Sequence, residues 1–229
     1  MGIKDLLKIA KKQLNITSKG KKDNLKTAVL GSRRLGVDIS VFMHILITRK
    51  HCAMAFHQQP GVCFQDFVNM YFNPILKSAN EMNITLEFVF DGHSHPHKET
   101  TNAERSEKRI ENMAKINALY EGKDESKLDE ISGLMQKSTS FRIDFIACVV
   151  AWATNNGVVC IGVPFEADWQ LRQLEMDGII DGIITVDSDL LALSCELIVY
   201  DLQFTKDGEC NLLARQNILD ALELADEDF

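Results

Sequence analysis

Residues 179–189, IIDGIITVDSD, limit the folds open to this chain more than any other stretch. Ile179, Ile180, Ile183, Ile184 and Val186 form a β-branched run interrupted only by Asp181-Gly182, the pattern of a strand buried on both faces. Such strands belong to parallel sheets with helices packed on each side. Asp187 and Asp189 follow at the carboxyl end of the run, around Ser188. Upstream, Glu166 and Asp168 stand at the mouth of a predicted helix that carries Gln170, Leu171, Leu174 and Met176 and is stopped by Asp177-Gly178. Acids crowded near one strand end repel and raise each other's pKa. A divalent cation removes that penalty, and Mg²⁺ prefers hard oxygen ligands.

Other apolar runs end in the same way. Residues 35–40 (LGVDIS) read as a strand ending in Asp38, and residues 84–90 (ITLEFVF) as a strand closed by Asp91-Gly92. Residues 158–163 (VVCIGV) read as a strand leading to Glu166, and residues 196–200 as a further one. Helical spacing occupies the intervals. An amphipathic helix over 3–14 precedes a polar loop over 15–24, and a helix over 41–47 has Ser40 as its expected cap. A break at 57–61 precedes a helix over 64–82, which Asn73-Pro74 should kink or split. A charged helical stretch over 98–136 breaks near Gly122; helices over 140–155 and 217–224 complete the set.

This alternation predicts an α/β fold with a mostly parallel central sheet flanked by helices. Ligands of such sheets bind beyond the carboxyl ends of the strands. Taken singly, Asp38, Asp91, Glu166 or Asp187 reads as a helix cap or turn residue. Taken together on one sheet edge, they read as a site.

Composition narrows the function. The 229 residues suit one domain, or one domain with an appendage, and 45% hydrophobic content suffices for a core. No apolar run reaches roughly 18 residues, so no membrane partner is expected, and MGIKDLLKIAKK lacks the apolar block of a signal peptide. Leu6 stands where a myristoylation motif needs Ser or Thr. Six scattered cysteines without CxxC read as reduced core residues of an intracellular protein. The net charge of −8 is uneven: residues 1–34 hold ten Lys/Arg against two Asp/Glu, the remainder 15 against 31. A basic contact face beside an acidic cation site has this asymmetry; so does a solvated basic helix.

Two metal ions roughly 4 Å apart in a carboxylate cluster can clamp a phosphodiester and activate a water. Asp38, Asp91, Glu166, Asp168, Asp187 and Asp189 are the candidate ligands. The alternating His93, His95 and His97 could suggest zinc, but they lack a companion ligand set and read as a solvated loop. An aspartate nucleophile in Asp187-Ser188-Asp189 is a further reading, weakened because no nearby threonine follows.

The motifs resemble, in order, those of the flap endonuclease / XPG family of structure-specific 5′ nucleases, which have a PIN-like fold. MGIKDLLK resembles the family opening MGIxGL, whose glycine, here Gly2, lies near the substrate. LGVDIS resembles VAVDAS, FVFDG matches YVFDG, PFEAD resembles PSEAE, and TVDSDLLALS resembles TEDxDxLxFG. HPHKETTNAERSEKR resembles PPxLKxxELAKRxERR, with fewer prolines. The resemblance implies two magnesium ions, with manganese as the alternative, held by Asp38, Asp91, Glu166, Asp168, Asp187 and Asp189. It implies that Lys98 and Arg105 face the scissile phosphate and that Lys108 and Arg109 form the next basic pair. His44 aligns with a tyrosine that stacks on a base. Without the resemblance, residues 98–109 would read as a helix with mixed charge pairs.

The fold implied is PIN-like, with a helical arch inserted after the second predicted strand. It forms a single nuclease domain over 1–229: an N-terminal nuclease part (1–97), the arch (98–137) and an internal nuclease part (138–229). Residues 217–229 resemble the segment before the family's GSDY motif and helix–two-turn–helix element, which carry a further metal-site aspartate and grip duplex DNA. Residues 201–229 hold eight acids and two basic residues and offer no substitute grip. A fragment, a second polypeptide supplying the remainder, and a chain turned to another task are the three expectations. The activity implied is that of a flap endonuclease or 5′–3′ exonuclease-like hydrolase acting on flapped, nicked or 5′-ended DNA in replication or repair, in the nucleus if the source is a eukaryote, with an organelle as the alternative. The alternatives are a catalytically inactive binding or assembly subunit, for example of a ribonucleoprotein, and a 5′ nuclease directed at RNA.

Overall fold

Short β-branched and aromatic runs, bounded by turn residues, form the strands that position the acids. A computed structural model describes residues 12, 23–24, 33–46, 64–93, 98–121, 125–138, 143–203 and 208–225. Its strands are β1 (Asp23–Asn24), β2 (Arg33–Asp38), β3 (Ile84–Phe90), β4 (Val159–Gly162), β5 (Gly182–Ile184), β6 (Leu197–Gln203) and β7 (Glu209–Ala214). They form one sheet in the order β1-β7-β6-β5-β2-β3-β4. The pairs β6–β5, β5–β2, β2–β3 and β3–β4 are parallel; β7 runs antiparallel to both β6 and β1. The expected mostly parallel sheet is present, and its parallel strands deliver their carboxyl ends to one edge.

The helices are α1 (Ile39–Leu46), α2 (Phe64–Glu81), α3 (Glu99–Glu121), α4 (Leu128–Ser138), α5 (Ile143–Asn155), α6 (Ala167–Met176), α7 (Asp189–Ala192) and α8 (Arg215–Leu222). They bury both faces of the sheet. One core joins Leu35, Val37, Leu86 and Phe88 to α1, α2 and α5; the other joins Val89 and Ile183 to α6, α7 and α8. Alternate residues of β3 enter opposite cores, as the strand pleat requires. In the first core Phe72 meets Phe88 edge-on at 5.8 Å and Trp152 at 5.2 Å. The Trp152 indole N–H donates to Asn73 Oδ1 at 2.8 Å. In the second core Gly36 of β2 makes room for α6: a Cβ there would stand 2.6 Å from the Leu171 side chain. The helices α3 and α4 pack on each other, with Ile116, Ile131 and Met135 buried, and form the expected arch after β3.

Several elements differ from expectation. α2 runs unbroken through Pro74, because Val68, Phe72, Ile75 and Ala79 bury one continuous face that outweighs the lost N–H bond. The strand expected over 179–186 shrinks to Gly182–Ile184. Ile179 and Ile180 instead donate their N–H groups to the Leu174 carbonyl, closing the end of α6 beyond Gly178 at φ 67°. Ile180 is buried in the second core without being strand. β1 lies where a loop was expected, and β7 was not foreseen. Glu209-Cys210-Asn211-Leu212 has little β-branched character and becomes strand through its pairing with β6. The helix expected over 3–14 and the break at 57–61 lie outside the described residues, except that Lys12 is helical. Among the described residues no helix is long and apolar enough to cross a membrane.

Candidate active site

The acids reach the carboxyl edge of the sheet from three strand ends and two helix starts. Asp38 ends β2 and is buried, 4% exposed. Its Oδ1 accepts the Val41 N–H at 3.2 Å, so Asp38 caps α1 in place of the expected Ser40. Burial, and then the Asp91 charge, push its carboxyl up to about 7; Asp168 adds to this, while the Val41 and Ser40 N–H groups pull it down. Asp91 follows β3, and its Oδ1 accepts the N–H of Ala167, the first residue of α6, at 2.8 Å. That bond fastens the end of β3 to the helix bearing Asp168.

Gly92 lets the two loops meet. Its N–H donates to the Phe165 carbonyl at 2.6 Å, and the His93 N–H to the Pro164 carbonyl at 2.9 Å. A Cβ on Gly92 would lie 2.0 Å from the Val163 carbonyl oxygen. The Asp-Gly pair reads from sequence as an ordinary turn; the close approach is set by a segment some seventy residues away (91–92 against 163–166) and leaves no local signal.

Asp168 lies in the first turn of α6. Burial lifts its carboxyl to about 6, with Asp187, Asp91 and Asp189 adding and Lys98 opposing. Beyond β5, the Asp187 N–H donates to Thr185 Oγ1 at 3.0 Å, and Asp187 Oδ1 accepts the Asp189 N–H at 3.1 Å. Thr185 is thus a buried positioning residue that the sequence reading passed over. Glu166 occupies the N-cap position of α6 but makes no capping hydrogen bond. Its Oε2 instead accepts from Lys98 Nζ at 2.7 Å.

Asp38, Asp91, Asp168, Asp187 and Asp189 therefore share one electrostatic field, with Glu166 joined to it through Lys98. Among the described residues, however, no three acidic, histidine or cysteine side chains are gathered closely enough to hold a metal ion as they stand. The two findings describe different ranges. Charges influence one another over many ångströms, whereas ligands must converge to roughly 2–2.5 Å from one ion. Asp38, Asp91 and Asp187 each give one oxygen to a backbone N–H. The donor chemistry nonetheless suits a hard divalent cation, being all carboxylate oxygen with an excess of negative charge.

Lys98 immediately precedes α3, at the foot of the arch. Burial works to lower its pKa, but the hydrogen bond and charge of Glu166, with Asp168 and Asp189, raise it overall. Farther along α3, Arg105, Lys108 and Arg109 are exposed. Loss of surrounding water lowers the pKa of His44 on α1, and Arg109 and Arg105 lower it further, which places that imidazole in the field of the arch. Gly2, His95 and His97 lie outside the described residues, and His93 is an exposed turn residue.

A scan against family models matches the XPG N-terminal domain over residues 1–112 and the XPG I-region over residues 157–229. The chain belongs to the XPG family. This XPG chain is 29% identical over 188 residues to Exodeoxyribonuclease 1 of Saccharomyces cerevisiae, covering 81% of itself and 25% of that protein. It is 30% identical over 195 residues to the DNA damage-inducible protein DIN7 of the same yeast, covering 85% of itself and 40% of DIN7. It thus spans less than half the length of these relatives. Its fold is like that of the catalytic core of Rad2 in complex with DNA substrate, with a TM-score of 0.62 at 22% identity over 99% of this chain and 60% of that one.

Proposed function

We propose that the chain is the nuclease region of a structure-specific DNA hydrolase that cleaves phosphodiester bonds at flaps, nicks or 5′ ends, in replication or repair. One observation carries this reading: acids from far-apart segments act on one another at one sheet edge, and the lysine at the foot of α3 reaches into them through Glu166. Family membership and the nuclease relatives support it. Family enzymes are metal-dependent, and in this chain Asp38, Asp91, Glu166, Asp168, Asp187 and Asp189 would hold magnesium. Bound magnesium supplies the positive charge that neutralises these carboxylates and stabilises charge developing on the phosphate.

The chain's own residues supply the rest. Lys98 and Arg105 offer charge-assisted donors to the phosphate. Lys108 and Arg109 add two further cations along α3, among Glu104, Glu107 and Glu111, and His44 on α1 has a ring able to stack on a base. The oxygens anchored to backbone N–H groups fix where Asp38, Asp91 and Asp187 stand, so a bound ion would meet ligands on rigid elements. In a eukaryotic cell this activity belongs in the nucleus, with the chromosomal DNA.

The test incubates purified protein with labelled 5′-flap, nicked and single-stranded DNA, and with RNA counterparts, in magnesium or EDTA. Cleavage that needs magnesium and prefers the DNA structures is expected. Asp187→Asn should lower the rate at least about a thousandfold with an unchanged circular-dichroism spectrum. Undiminished turnover by that variant would refute the assigned role, and preference for RNA would favour the RNA-directed reading.

A further inference from the structure

We propose that in the DNA-free protein Lys98 stands in for a divalent cation, so that ion binding and release of Lys98 from Glu166 are one event. This rests on the reading above that the carboxylates hold a divalent ion.

Three observations converge. Asp38, Asp91 and Asp187 each tie an oxygen to a backbone N–H, whereas Glu166 sits at a helix N-cap without a capping bond and gives its carboxylate to Lys98. The Lys98–Glu166 pair is short, 2.7 Å, and both side chains are partly withdrawn from water, at 33% and 22% exposure. Asp168 and Asp189 also act on the same ammonium, so it lies in the combined field of the acids rather than in a private pair. Lys98 thus places one positive charge among these carboxylates.

A divalent ion and the ammonium compete for the same oxygens. The ion carries twice the charge and holds several ligands at once; the ammonium carries one charge on a flexible stem. Displaced by the ion, Lys98 needs only to swing about its own stem to meet a phosphate on the arch side. Linkage makes the coupling reciprocal: a phosphate that draws Lys98 away must tighten ion binding by the factor by which the ion tightens phosphate binding. The latch would therefore favour assembly of the charged site when DNA is in place.

The experiment measures Mn²⁺ binding to the DNA-free chain by calorimetry at fixed ionic strength. It compares wild type with Lys98→Met, Lys98→Gln, Arg105→Met and Asp187→Asn, each with its fold checked by circular dichroism. Both Lys98 variants should bind Mn²⁺ about three- to tenfold more tightly than wild type, from loss of one partly buried ion pair. Arg105→Met removes the same charge farther up α3 and should stay within about twofold of wild type. Equal or weaker binding by both Lys98 variants overturns the latch while leaving the metal reading intact. Tightening by Arg105→Met equal to theirs also overturns it, since general charge loss would then explain the effect. Absence of Mn²⁺ binding in every protein, or binding that Asp187→Asn leaves unchanged, overturns the metal reading and the latch with it.

Discussion

At the scale of single residues, Asp38, Asp91 and Asp187 each serve two purposes. The reading of each as a helix cap or turn residue is correct: one oxygen accepts a backbone N–H. The reading as site residue is compatible with it, because a carboxylate has two oxygens. Anchoring fixes position, and crowding sets the charge. The linkage sign for Asp38 follows from its raised carboxyl. The folded state holds this proton more firmly than the unfolded state, with about 7 against 3.8. Its contribution to stability is therefore full below the unfolded value and lost as pH rises through the folded one. Denaturant unfolding in EDTA should show the wild type losing stability relative to Asp38→Asn between about pH 4 and pH 7. A difference independent of pH would contradict that assignment.

At the scale of elements, the site depends on how α6 is held. Its N-terminus is fastened to β3 through Asp91 and the Gly92 turn. Its other end is fastened by Glu175, whose buried carboxylate accepts the N–H groups of Glu196 at 2.9 Å and Leu197 at 3.0 Å and pairs with Arg172 at 3.0 Å. Glu175→Ala leaves two backbone donors and an arginine without their acceptor, and should destabilise the chain by about 2–4 kcal/mol in urea unfolding. Gly92→Ala forces a methyl against the carbonyls of Val163 and Pro164. The two acid-bearing loops must then part, at about 1–3 kcal/mol in stability. Its larger expected effect is on cleavage, since Asp91 and Glu166 separate with the loops; a variant that cleaves like wild type would show that the loop spacing is immaterial.

At the scale of the whole molecule, the sheet gathers like charges at one edge, and a cation bound there would offset their repulsion. Magnesium should therefore raise the unfolding midpoint. At a hundred times the dissociation constant the gain is about 2.7 kcal/mol, and EDTA should remove it. Asp187→Asn should show a much smaller rise, and an equal rise in that variant would place the ion elsewhere. The arch matters at this scale too. It follows β3 in the chain, and Lys98 at its foot reaches Glu166 at the mouth of α6.

The sequence by itself determined the α/β class, the parallel central strands and the sheet edge at which the acids appear. Strand alternation, β-branched runs and Asp-Gly turns are local patterns, and a parallel sheet sends every carboxyl end to the same side. It did not determine β7 or the short β5. Whether Leu212 or Ile180 becomes strand depends on which neighbour offers backbone partners, and local propensity is too weak to decide. Nor did it show that Glu166 is held by Lys98, 68 residues away, or that Gly92 must be bare for the Val163 loop to approach. Those contacts are settled by close packing and charge in three dimensions, where residues distant along the chain compete for the same space and the same oxygens.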